Sequence, residues 1–524
     1  MESDPPVPVE KPAGCKCSKR LTIGIVALLL LLIGIAGVTV TCFVLEQKVL
    51  QYRHHYGVIF DAGSSHTDVT VYRWPSQYKD HGTAHTEQIT FEKCADSGIS
   101  SFEKDPDKAG DMIRKCIEKI VLKSMPHKDV KKTGIYVGAT AGMRLLCERS
   151  RSTCDKIMES IRHALNSFKF RQTKNRVRVL DGKEEASFGW ITANLLNSSL
   201  SNKVPAKNNT KLIGALDMGG ASMEVAFVPD NASSIPENYT SDFILYGVNY
   251  TLYTHSYLCY GLKEAQRKVL ADLVERSNYT KNISNPCWLN GYNESVTPAA
   301  LWLAPCSIKP KSVIFPMSNK TKFTFIGSGS PKECTDVVQR LFNKTDCQYS
   351  NCTFDGVYQP PIEGHNFMAY SGFGHIGTFL NVSEGEPILD LRDRGEAFCR
   401  KGWQEVVNQT GGKVEKKFLR SYCFNALYSY ELLTTGLHFK PDSDRVHIAR
   451  NINGTEVSWS LGFMVNATNA IPTEAPTYRL SAQEFISILT VCSVITLVGL
   501  AMLTLCLLKK RLEKNTKYKY KLVN

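Results

Sequence analysis

The cysteines of this chain lack the spacing that a zinc site needs. No CxxC pair occurs, and Cys347 and Cys352, although close together, have no second ligand pair. Twelve of the 17 cysteines lie between two long apolar segments, and an even number there favours disulfides in an oxidising compartment. The cysteine pattern therefore argues against a zinc protein and for a chain whose central part is extracellular.

The chain also lacks a block of like charge outside its C-terminal tail. Its net charge is +13, but the short tail 509–524 contributes much of it, with seven Lys and Arg residues against Glu513. The remaining excess is spread along the chain, which is typical of a solvated surface with weak attraction for anionic ligands. We therefore expect no nucleic-acid partner.

Two apolar segments, 21–44 and 485–508, each exceed the ~20 residues that a membrane-spanning helix needs. The first is too long for a signal peptide and shows no small-residue cleavage site after it. The second is followed by basic residues, whereas a lipid-anchor signal should end the chain. Because basic residues flank the outer end of each segment, the positive-inside rule predicts a plasma-membrane protein with cytoplasmic tails, 1–20 and 509–524, and one extracellular region between them.

The region between the spans carries many N-x-S/T acceptor motifs. A single motif is weak evidence because it occurs by chance, but this density suits a glycosylated exterior. The acceptors include Asn231, Asn238, Asn249, Asn278, Asn282, Asn319, Asn343, Asn381, Asn408, Asn453 and Asn466. Cys15 and Cys17 precede the first span, where acylated and free thiols are both open alternatives.

A strand, glycine turn, strand pattern occurs twice. The apolar run 56–60 ends at Asp61 in DAGSSHT and is followed by the alternating run 68–74. The pattern returns where 213–216 leads into Asp217 in DMGGAS, followed by MEVAFV. We interpret this as an internal duplication. It predicts two lobes that each present a phosphate-binding hairpin across a cleft.

The two turns have the residue types that suit an anion and a divalent cation. Glycine after a strand-end aspartate lets bare backbone N–H groups approach an anion, and nearby hydroxyls add donors. Asp61 and Asp217 would face each other, and two carboxylates hold phosphate only together with a hard cation. Either turn alone reads equally well as an ordinary Gly-rich hairpin, but the pair favours a functional interpretation.

Two further motifs lie between the turns. GATAGMR, 138–144, offers the Thr140 hydroxyl and the Arg144 cation at a predicted helix N-terminus, which is a favourable anion position, although small residues there often only pack. DGKEE, 181–185, follows an apolar strand, and a carboxylate there suits a general base acting on water. The alternative is a glutamate that caps the next helix.

Together these motifs resemble the apyrase-conserved regions of the ecto-nucleoside triphosphate diphosphohydrolase family. The matching segments are DAGSSHT at Asp61, GATAGMR at Gly138, GKEEASFGW at Gly182, ALDMGGAS at Ala215, WSLGFMVNATNAIP at Trp459, YTHSYLCYG at Tyr253 and CTFDGVYQPP at Cys352. The likeness covers essentially the whole extracellular region and includes both spans, so it points to the plasma-membrane branch.

The resemblance implies an α/β fold of the actin and sugar-kinase type, in which two RNase-H-like lobes hold a nucleotide. The first lobe would be 45–180, completed by about 447–478, and the second 181–446. The implied activity removes terminal phosphates from extracellular ATP, ADP, UTP and UDP by in-line attack of water, with Ca²⁺ or Mg²⁺ as cofactor. A homo-oligomer stays open, although no clear GxxxG in the spans demands one.

The resemblance also implies roles by position. Glu185 resembles the catalytic base, Asp61 and Asp217 the pair that orders the metal's shell through water, and Ser222 with Glu224 the pair that holds the attacking water. Phosphate contacts are implied for Ser64, Ser65, His66, Thr67, Thr140, Ala141, Gly219, Gly220, Ala221, Ser222, Met223 and Glu224. Base stacking is implied near His375, Phe418 and Tyr422, although His375 reads equally well as a surface histidine.

The family's cysteine pattern implies five disulfides. They are Cys94–Cys116, Cys259–Cys306, Cys287–Cys334, Cys347–Cys352 and Cys399–Cys423. Cys147 and Cys154 remain, and their spacing alone does not establish a sixth.

The chain departs from the family at four positions of the implied site. Lys183 and Ala186 stand where the family usually has GQEEG, and Met223 and Glu224 where it has GGASTQ. Glu224 cannot donate a hydrogen bond and adds negative charge near phosphate, and Lys183 is a candidate to offset that charge. These changes keep open a catalytically weak nucleotide-binding receptor or adhesion protein. A kinase of the same fold is disfavoured, because the extracellular setting offers little ATP.

Overall fold

The computed structural model describes residues 15–45, 54–76, 79–200, 212–307, 321–342, 347–382, 384–473 and 482–523. Outside these ranges lie residues 1–14 of the predicted tail 1–20, residues 46–53 and 474–478 of the predicted first lobe, and the acceptors Asn319 and Asn343. The chain divides into two compact units. One is His54–Pro472, and the other comprises the segments before and after it.

The described residues form both β-strands and α-helices along the chain. The strands are β1 (His54–Ala62), β2 (Thr67–Pro75), β3 (Glu87–Ala95), β4 (Gly134–Ala139), β5 (Val177–Val179), β6 (Gly214–Met218), β7 (Ser222–Phe227), β8 (Thr240–Leu245), β9 (Val248–Leu258), β10 (Asn282–Asn285), β11 (Asn293–Val296), β12 (Phe323–Gly327), β13 (Phe367–Ser371), β14 (Val446–Ile448), β15 (Asn451–Ile452) and β16 (Thr455–Glu456). The α-helices are α1 (Cys15–Val40), α2 (Asp107–Lys119), α3 (Ala141–Arg149), α4 (Arg151–Asn166), α5 (Gly182–Leu196), α6 (Leu262–Arg276), α7 (Pro298–Trp302), α8 (Pro331–Gln339), α9 (Gly372–Leu380), α10 (Ile388–Cys399), α11 (Trp403–Thr410), α12 (Lys416–Leu419), α13 (Tyr422–Glu431), α14 (Trp459–Thr468) and α15 (Ala482–Val523).

The two large sheets share one strand order. The first sheet runs β3-β2-β1-β4-β5, and the second runs β14-β13-β6-β7-β9-β8. In the reverse direction the second sheet reads β8-β9-β7-β6-β13-β14. Its strands β9, β7, β6, β13 and β14 then correspond to β3, β2, β1, β4 and β5 of the first sheet, and β8 is an additional edge strand. In both sheets the first two strands are antiparallel and the strand on the other side is parallel. The shared order confirms the predicted duplication and the α/β class.

The two predicted glycine turns connect equivalent strands, β1 to β2 and β6 to β7. In the first hairpin Asp61 lies opposite Asp68, and in the second Asp217 lies opposite Glu224. Each strand-end aspartate therefore has a carboxylate as its cross-strand neighbour. The turns follow the carboxyl ends of β1 and β6, which are interior strands of their sheets.

Helices cover both faces of the first sheet. One face packs on α2, α3 and α4 through an apolar cluster that includes Val69, Ile113 and Ile157. The other face packs on α14, where Trp459 and Met464 join Trp74 in a second cluster. Helix α5 contacts β6, β7 and β9 of the second sheet and also packs along α14. The α5–α14 pair thus joins the two sheets.

All five predicted disulfides are present, and Cys147–Cys154 is a sixth. Two of them lie within 94–154 and four within 259–423. None of the six links the first sheet and its helices to the second sheet. Covalent continuity between the sheets therefore comes from the backbone alone.

The terminal segments contain the apolar helices that the sequence predicts. Among the described residues, Leu21–Phe43 and Gln483–Lys519 are long and apolar enough to cross a membrane. Helices α1 and α15 approach closely at small residues. A Cβ on Gly34 would lie 2.3 Å from Thr496 Oγ1, and one on Gly37 would lie 2.6 Å from Cys492 Sγ.

The α5–α14 contact generates a prediction at Gly462. A Cβ there would lie 2.0 Å from the backbone oxygen of Phe188, so the two helices must separate to admit it. We expect Gly462→Ala to lower the free energy of unfolding by about 1–3 kcal/mol, measured as a fall in the thermal unfolding midpoint. Gly402→Ala is the matched control, because no atom lies within 4 Å of the added methyl group. Equal midpoints for the two variants would contradict the packing described here.

Candidate functional site

A cleft of about 880 Å³ opens between the two glycine turns. Most residues singled out from the sequence line it. They are Asp61, Ser64, Ser65, His66, Thr140, Ala141, Glu185, Asp217, Gly219, Gly220, Ala221, Ser222, His375, Phe418 and Tyr422. The fold therefore brings together side chains that lie more than 300 positions apart in the sequence.

The two turns approach each other directly. A Cβ on Gly220 would lie 2.5 Å from Ser64 Oγ, so the serine hydroxyl occupies the space that a side chain at position 220 would need. Gly142, in the first turn of α3, faces the same serine, and a Cβ there would lie 2.8 Å from Ser64 Cα. Three loops thus converge where an anion would sit.

Backbone amides hold this arrangement and supply anion donors. The amides of Leu262 and Lys263 donate to the carbonyls of Gly219 and Gly220, which fixes the second turn against the start of α6. Thr140 precedes α3 and forms no side-chain cap, so the first amides of that helix remain directed to the cleft. A helix N-terminus with free amides favours an anion.

Beneath the cleft, Glu185, Asp217 and Glu224 form a buried acidic cluster. Their carboxylate oxygens lie within 4.8 Å of one another. Each residue comes from a different element: α5, β6 and β7. Glu185 lies near the N-terminus of α5, where Asp181 caps the helix in a capping box with Glu184. The capping glutamate that the sequence offered as the alternative to a general base is therefore Glu184. Glu185 does not cap the helix and points inward.

Arg144 is the cation of the acidic cluster. Its Nη2 lies 3.1 Å from Glu185 Oε2 and 3.2 Å from Glu224 Oε1, and it donates to Ser222 Oγ at 3.0 Å. Ser222 in turn donates to Glu224 Oε1, and so does Ser256 at 2.7 Å. The Arg144 guanidinium and two serine hydroxyls thereby satisfy one oxygen of Glu224, and the same guanidinium pairs with Glu185.

Burial and mutual repulsion shift the carboxyl groups of the site. Burial, followed by the charge of Glu224, raises the pKa of Asp217 to about 8 and that of Glu185 well above its usual value. Burial raises the pKa of Asp61 to about 7, although His66 and a hydrogen bond from Trp459 oppose the shift. Burial also raises the pKa of Glu224, and Arg144 opposes that shift. The site contains more carboxyl groups than one arginine can neutralise, so burial favours their protonated forms until a cation binds.

The residues present fit a divalent cation. Oε2 of Glu224 is buried and accepts no hydrogen bond, so it is available as a ligand, whereas Oε2 of Glu185 is paired with Arg144. Three converging carboxylates suit a hard cation that prefers oxygen. The acidic cluster thus could bind a metal ion, and it includes Asp217 but not Asp61, which lies at the end of β1 in the other hairpin.

Three side chains singled out from the sequence are not on the cleft wall. Thr67 is buried, with its hydroxyl bonded to the Ser97 carbonyl, and Met223 lies in the apolar core of the second sheet. Glu224 lies below the cleft surface, at 1% exposure. Lys183, the candidate to offset the charge of Glu224, lies elsewhere: the Lys183 Nζ donates to the Thr240 carbonyl at 3.4 Å. The offset comes from Arg144.

The aromatic residues proposed for base stacking share one wall of the cleft. Tyr422 stacks on Phe379, with ring centroids 3.6 Å apart, and Phe418 is exposed beside it. His375 faces the same space, where burial lowers its pKa to about 4 and Arg450 adds to that shift. A neutral imidazole and two aromatic rings form a surface on which a planar ring could stack.

Sequence reasoning missed two contributors to the site, Ser256 and Trp459, and misassigned the partners of a third, Arg144. Arg144 was singled out as an anion ligand, but its partners are carboxylates. Ser256 lies in the segment YTHSYLCYG and Trp459 in WSLGFM, but nothing else in the sequence marks either residue as part of the site. Several cations also line the cleft without any motif to mark them: Lys93, Arg149, Lys263, Arg267, Lys417, Arg420 and Arg450.

Comparison with known proteins gives consistent matches. The model of the GDA1/CD39 (nucleoside phosphatase) family matches residues 47–483. The chain is 38% identical to ectonucleoside triphosphate diphosphohydrolase 8 of Gallus gallus over 80% of this chain and 84% of that protein. It is 36% identical to ectonucleoside triphosphate diphosphohydrolase 3 of Mus musculus over 94% and 93%. A nucleoside triphosphate hydrolase structure from Neospora caninum superposes with a TM-score of 0.60 at 12% identity, covering 90% of this chain and all of that one. The predicted two-lobe fold is thereby confirmed.

The acidic cluster generates a prediction for Arg144. Removing one partner of a buried ion pair leaves uncompensated charge, so we expect Arg144→Met to lower the free energy of unfolding by about 3–5 kcal/mol. The loss should be smaller in a Glu224→Gln background, because one carboxylate is then neutral. Thermal unfolding without divalent cations measures both. Arg149→Met, on the same helix in an exposed ion pair with Glu103, should cost at most about 1 kcal/mol. Additive effects of Arg144→Met and Glu224→Gln would refute the shared-charge arrangement.

Proposed function

This chain belongs to the GDA1/CD39 (nucleoside phosphatase) family, and on that premise we propose that it is a cell-surface nucleoside triphosphate diphosphohydrolase. It would remove terminal phosphates from extracellular ATP, ADP, UTP and UDP. The observation that carries the proposal is the position of Glu185. Its carboxylate lines the cleft between the two glycine turns and is held by an ion pair with Arg144.

Glu185 is the base of this proposal. A carboxylate with a raised pKa holds a proton from water more strongly than an exposed one, which suits general-base catalysis. The water would attack the terminal phosphorus in line with the leaving oxygen. Ser64, Ser65 and the first amides of α3 would bind the phosphate oxygens, since positioning and charge neutralisation account for most of phosphoryl-transfer catalysis.

We assign Ca²⁺ or Mg²⁺ to the acidic side of the cleft. Asp61 and Asp217 would hold the ion through water, and Glu224 would supply a further oxygen from the acidic cluster, which leaves Glu185 as the base. Such an ion would neutralise charge on the phosphates of a bound nucleotide. The preference between the two ions follows from cavity size and rigidity.

Glu224 and Ser222 would position the attacking water from one side. The Ser222 hydroxyl donates to Glu224 and accepts from Arg144, so the group is arranged before substrate enters. Glu224 adds a negative charge that the family's usual glutamine lacks. That charge is the specific observation favouring the second candidate, a nucleotide-binding surface protein with weak turnover.

The nucleotide base would lie against His375, Phe418 and Tyr422. Stacking is tolerant of base identity because every base has a π-face. The cations of the cleft wall would attract the polyphosphate. We therefore expect purine and pyrimidine nucleotides to be accepted.

Location and domain organisation complete the proposal. Both termini would be cytoplasmic, because basic residues flank the outer ends of the spans. The two lobes would be 45–180, completed by about 447–478, and 181–446. The packing of α14 on the first sheet supports the return of the chain to the first lobe.

The first test is phosphate release by intact cells that express the chain. Metal-dependent release from ATP, ADP and UTP should be abolished by EDTA and should fall by about 10²–10⁴-fold in Glu185→Gln, because the water loses its base. Glu184→Gln is the matched control, since it keeps the capping hydrogen bond one residue away. No release above untransfected cells, at equal surface expression, would reject the enzyme and leave the nucleotide-binding protein.

A second test restores the family residue at Glu224. Neutralising a carboxylate near the terminal phosphate removes repulsion, so we expect Glu224→Gln to raise turnover by about tenfold. Glu264→Gln, which alters another buried carboxylate of the cleft, should leave turnover unchanged. Turnover lost in Glu224→Gln to the same extent as in Glu185→Gln would instead identify Glu224 as the base.

A further inference from the structure

Three side chains at the first glycine turn form a hydrogen-bonded chain, which we call the first-turn relay. His66 is its centre: Nδ1 lies 3.0 Å from Ser65 Oγ, and Nε2 lies 3.1 Å from Asp68 Oδ2. All three residues line the cleft. Asp68 is buried near the start of β2, and its other oxygen, Oδ1, accepts no hydrogen bond in the described part of the chain. The hydrogen-bonding capacity of Asp68 is thus directed at His66.

The direction of these hydrogen bonds depends on the protonation of His66. An ionised Asp68 only accepts, so Nε2 of His66 carries a hydrogen. In neutral His66, Nδ1 then accepts from the Ser65 hydroxyl, and only the lone pairs of the Ser65 oxygen remain for the cleft. In protonated His66, Nδ1 donates to Ser65, and the Ser65 hydroxyl hydrogen is free to bond an anion. Only the second arrangement binds phosphate through Ser65.

The charges around His66 favour its protonated form. The hydrogen bond to Asp68 raises the pKa of His66, and burial opposes that shift. The titratable groups that act on His66 come from five elements of the cleft: Asp61, Asp68, Lys93, His375 and Glu456. Three of them are carboxyl groups, against one lysine and a histidine whose own pKa burial lowers to about 4. A bound phosphate group would add further negative charge and stabilise the protonated form.

We propose that Asp68 is a positioning residue that holds His66 as a donor to Ser65, so that the Ser65 hydroxyl donates to a phosphate oxygen of the bound nucleotide. Asp68 acts through these two side chains and does not itself touch the phosphate, which its charge would repel. The inference rests on the proposed function, because the nucleotide is its ligand.

The relay makes Ser65 a donor and not a nucleophile. A serine, a histidine and an aspartate in one hydrogen-bonded chain are the parts of a catalytic triad, in which neutral histidine takes the serine proton. Protonated His66 cannot take that proton. Attack on the terminal phosphorus therefore stays with water, and the relay contributes binding of the phosphate.

The pH dependence of kcat/KM for ATP tests the relay. Asp68→Asn keeps the shape of the side chain and removes its charge, so it should lower the pKa of His66. The protonated form is lost as pH rises, so the alkaline fall in kcat/KM should begin about one pH unit lower, with about a tenfold loss at pH 8 and little loss at pH 6. Asp80→Asn is the matched control, because Asp80 pairs with His81 at 2.6 Å and does not line the cleft. It should leave the profile unchanged.

Two background variants show whether the shift runs through the relay. With His66→Gln, Asp68→Asn should leave the pH profile unchanged, because the titrating group is absent. With Ser65→Ala, Asp68→Asn should cost at most about twofold at pH 8, because the donor hydroxyl is absent. A shift that persists with His66→Gln would assign the titration to Asp61 and overturn the relay. Equal losses at pH 6 and pH 8, with a lower unfolding midpoint, would show a structural role only and would also overturn it.

Binding of a non-hydrolysable analogue separates this inference from the proposed function. The affinity of the full chain for adenylyl imidodiphosphate should show the same pH shift with Asp68→Asn. A chain that shows the shift without turning over ATP would reject the proposed hydrolase and support the relay. Absence of the shift, with or without turnover, would overturn the relay. Labelled phosphate retained on Ser65 after acid quenching, from ATP labelled in its terminal phosphate, would identify a nucleophile and overturn the donor role.

Discussion

Two buried carboxylates, Glu185 and Glu224, share the single guanidinium of Arg144 beside a third carboxylate, Asp217, and the surrounding fold keeps them in place. Taking charges out of water is costly unless they are paired or bind a cation. Here α5, the β6–β7 hairpin and α3 each deliver one part of the arrangement, so α3 stays bound to the second sheet's hairpin through charge as well as packing. The Cys147–Cys154 disulfide ties the end of α3 to α4 and steadies the helix that presents Arg144. Excess negative charge in the folded state couples cation binding to stability.

The duplication accounts for much of this site, including its unusual member. Asp61 lies opposite Asp68 in one hairpin, and Asp217 lies opposite Glu224 in the other. The carboxylate at Glu224 therefore repeats the pattern of the first hairpin, although the family usually has glutamine there. The two copies differ in their cation: His66 pairs with Asp68 at 3.1 Å, whereas Arg144 reaches Glu224 from another element. The first hairpin thus supplies the partner of its own carboxylate, whereas the second hairpin receives a cation from α3.

Local sequence patterns located both hairpins, and the family resemblance implied the five disulfides and most residues of the cleft wall. Some errors were avoidable. Side chains alternate along β7, so Ser222 and Glu224 share one face and Met223 must point to the other, into the core. Lys183 and Glu185 are two positions apart on a helix and cannot face the same site. The partners of Arg144 and Ser256 could not be foreseen, since they depend on how distant elements pack.

The position of α14 has a consequence for biosynthesis. Trp459, Met464 and their neighbours cover the face of the first sheet that bears Trp74, yet they are synthesised almost 400 residues after it. While the second sheet is being synthesised, that aromatic face lacks the helix that covers it in the folded protein. The nascent chain therefore exposes an apolar surface until α14 has been synthesised, and such a surface favours aggregation before folding is complete.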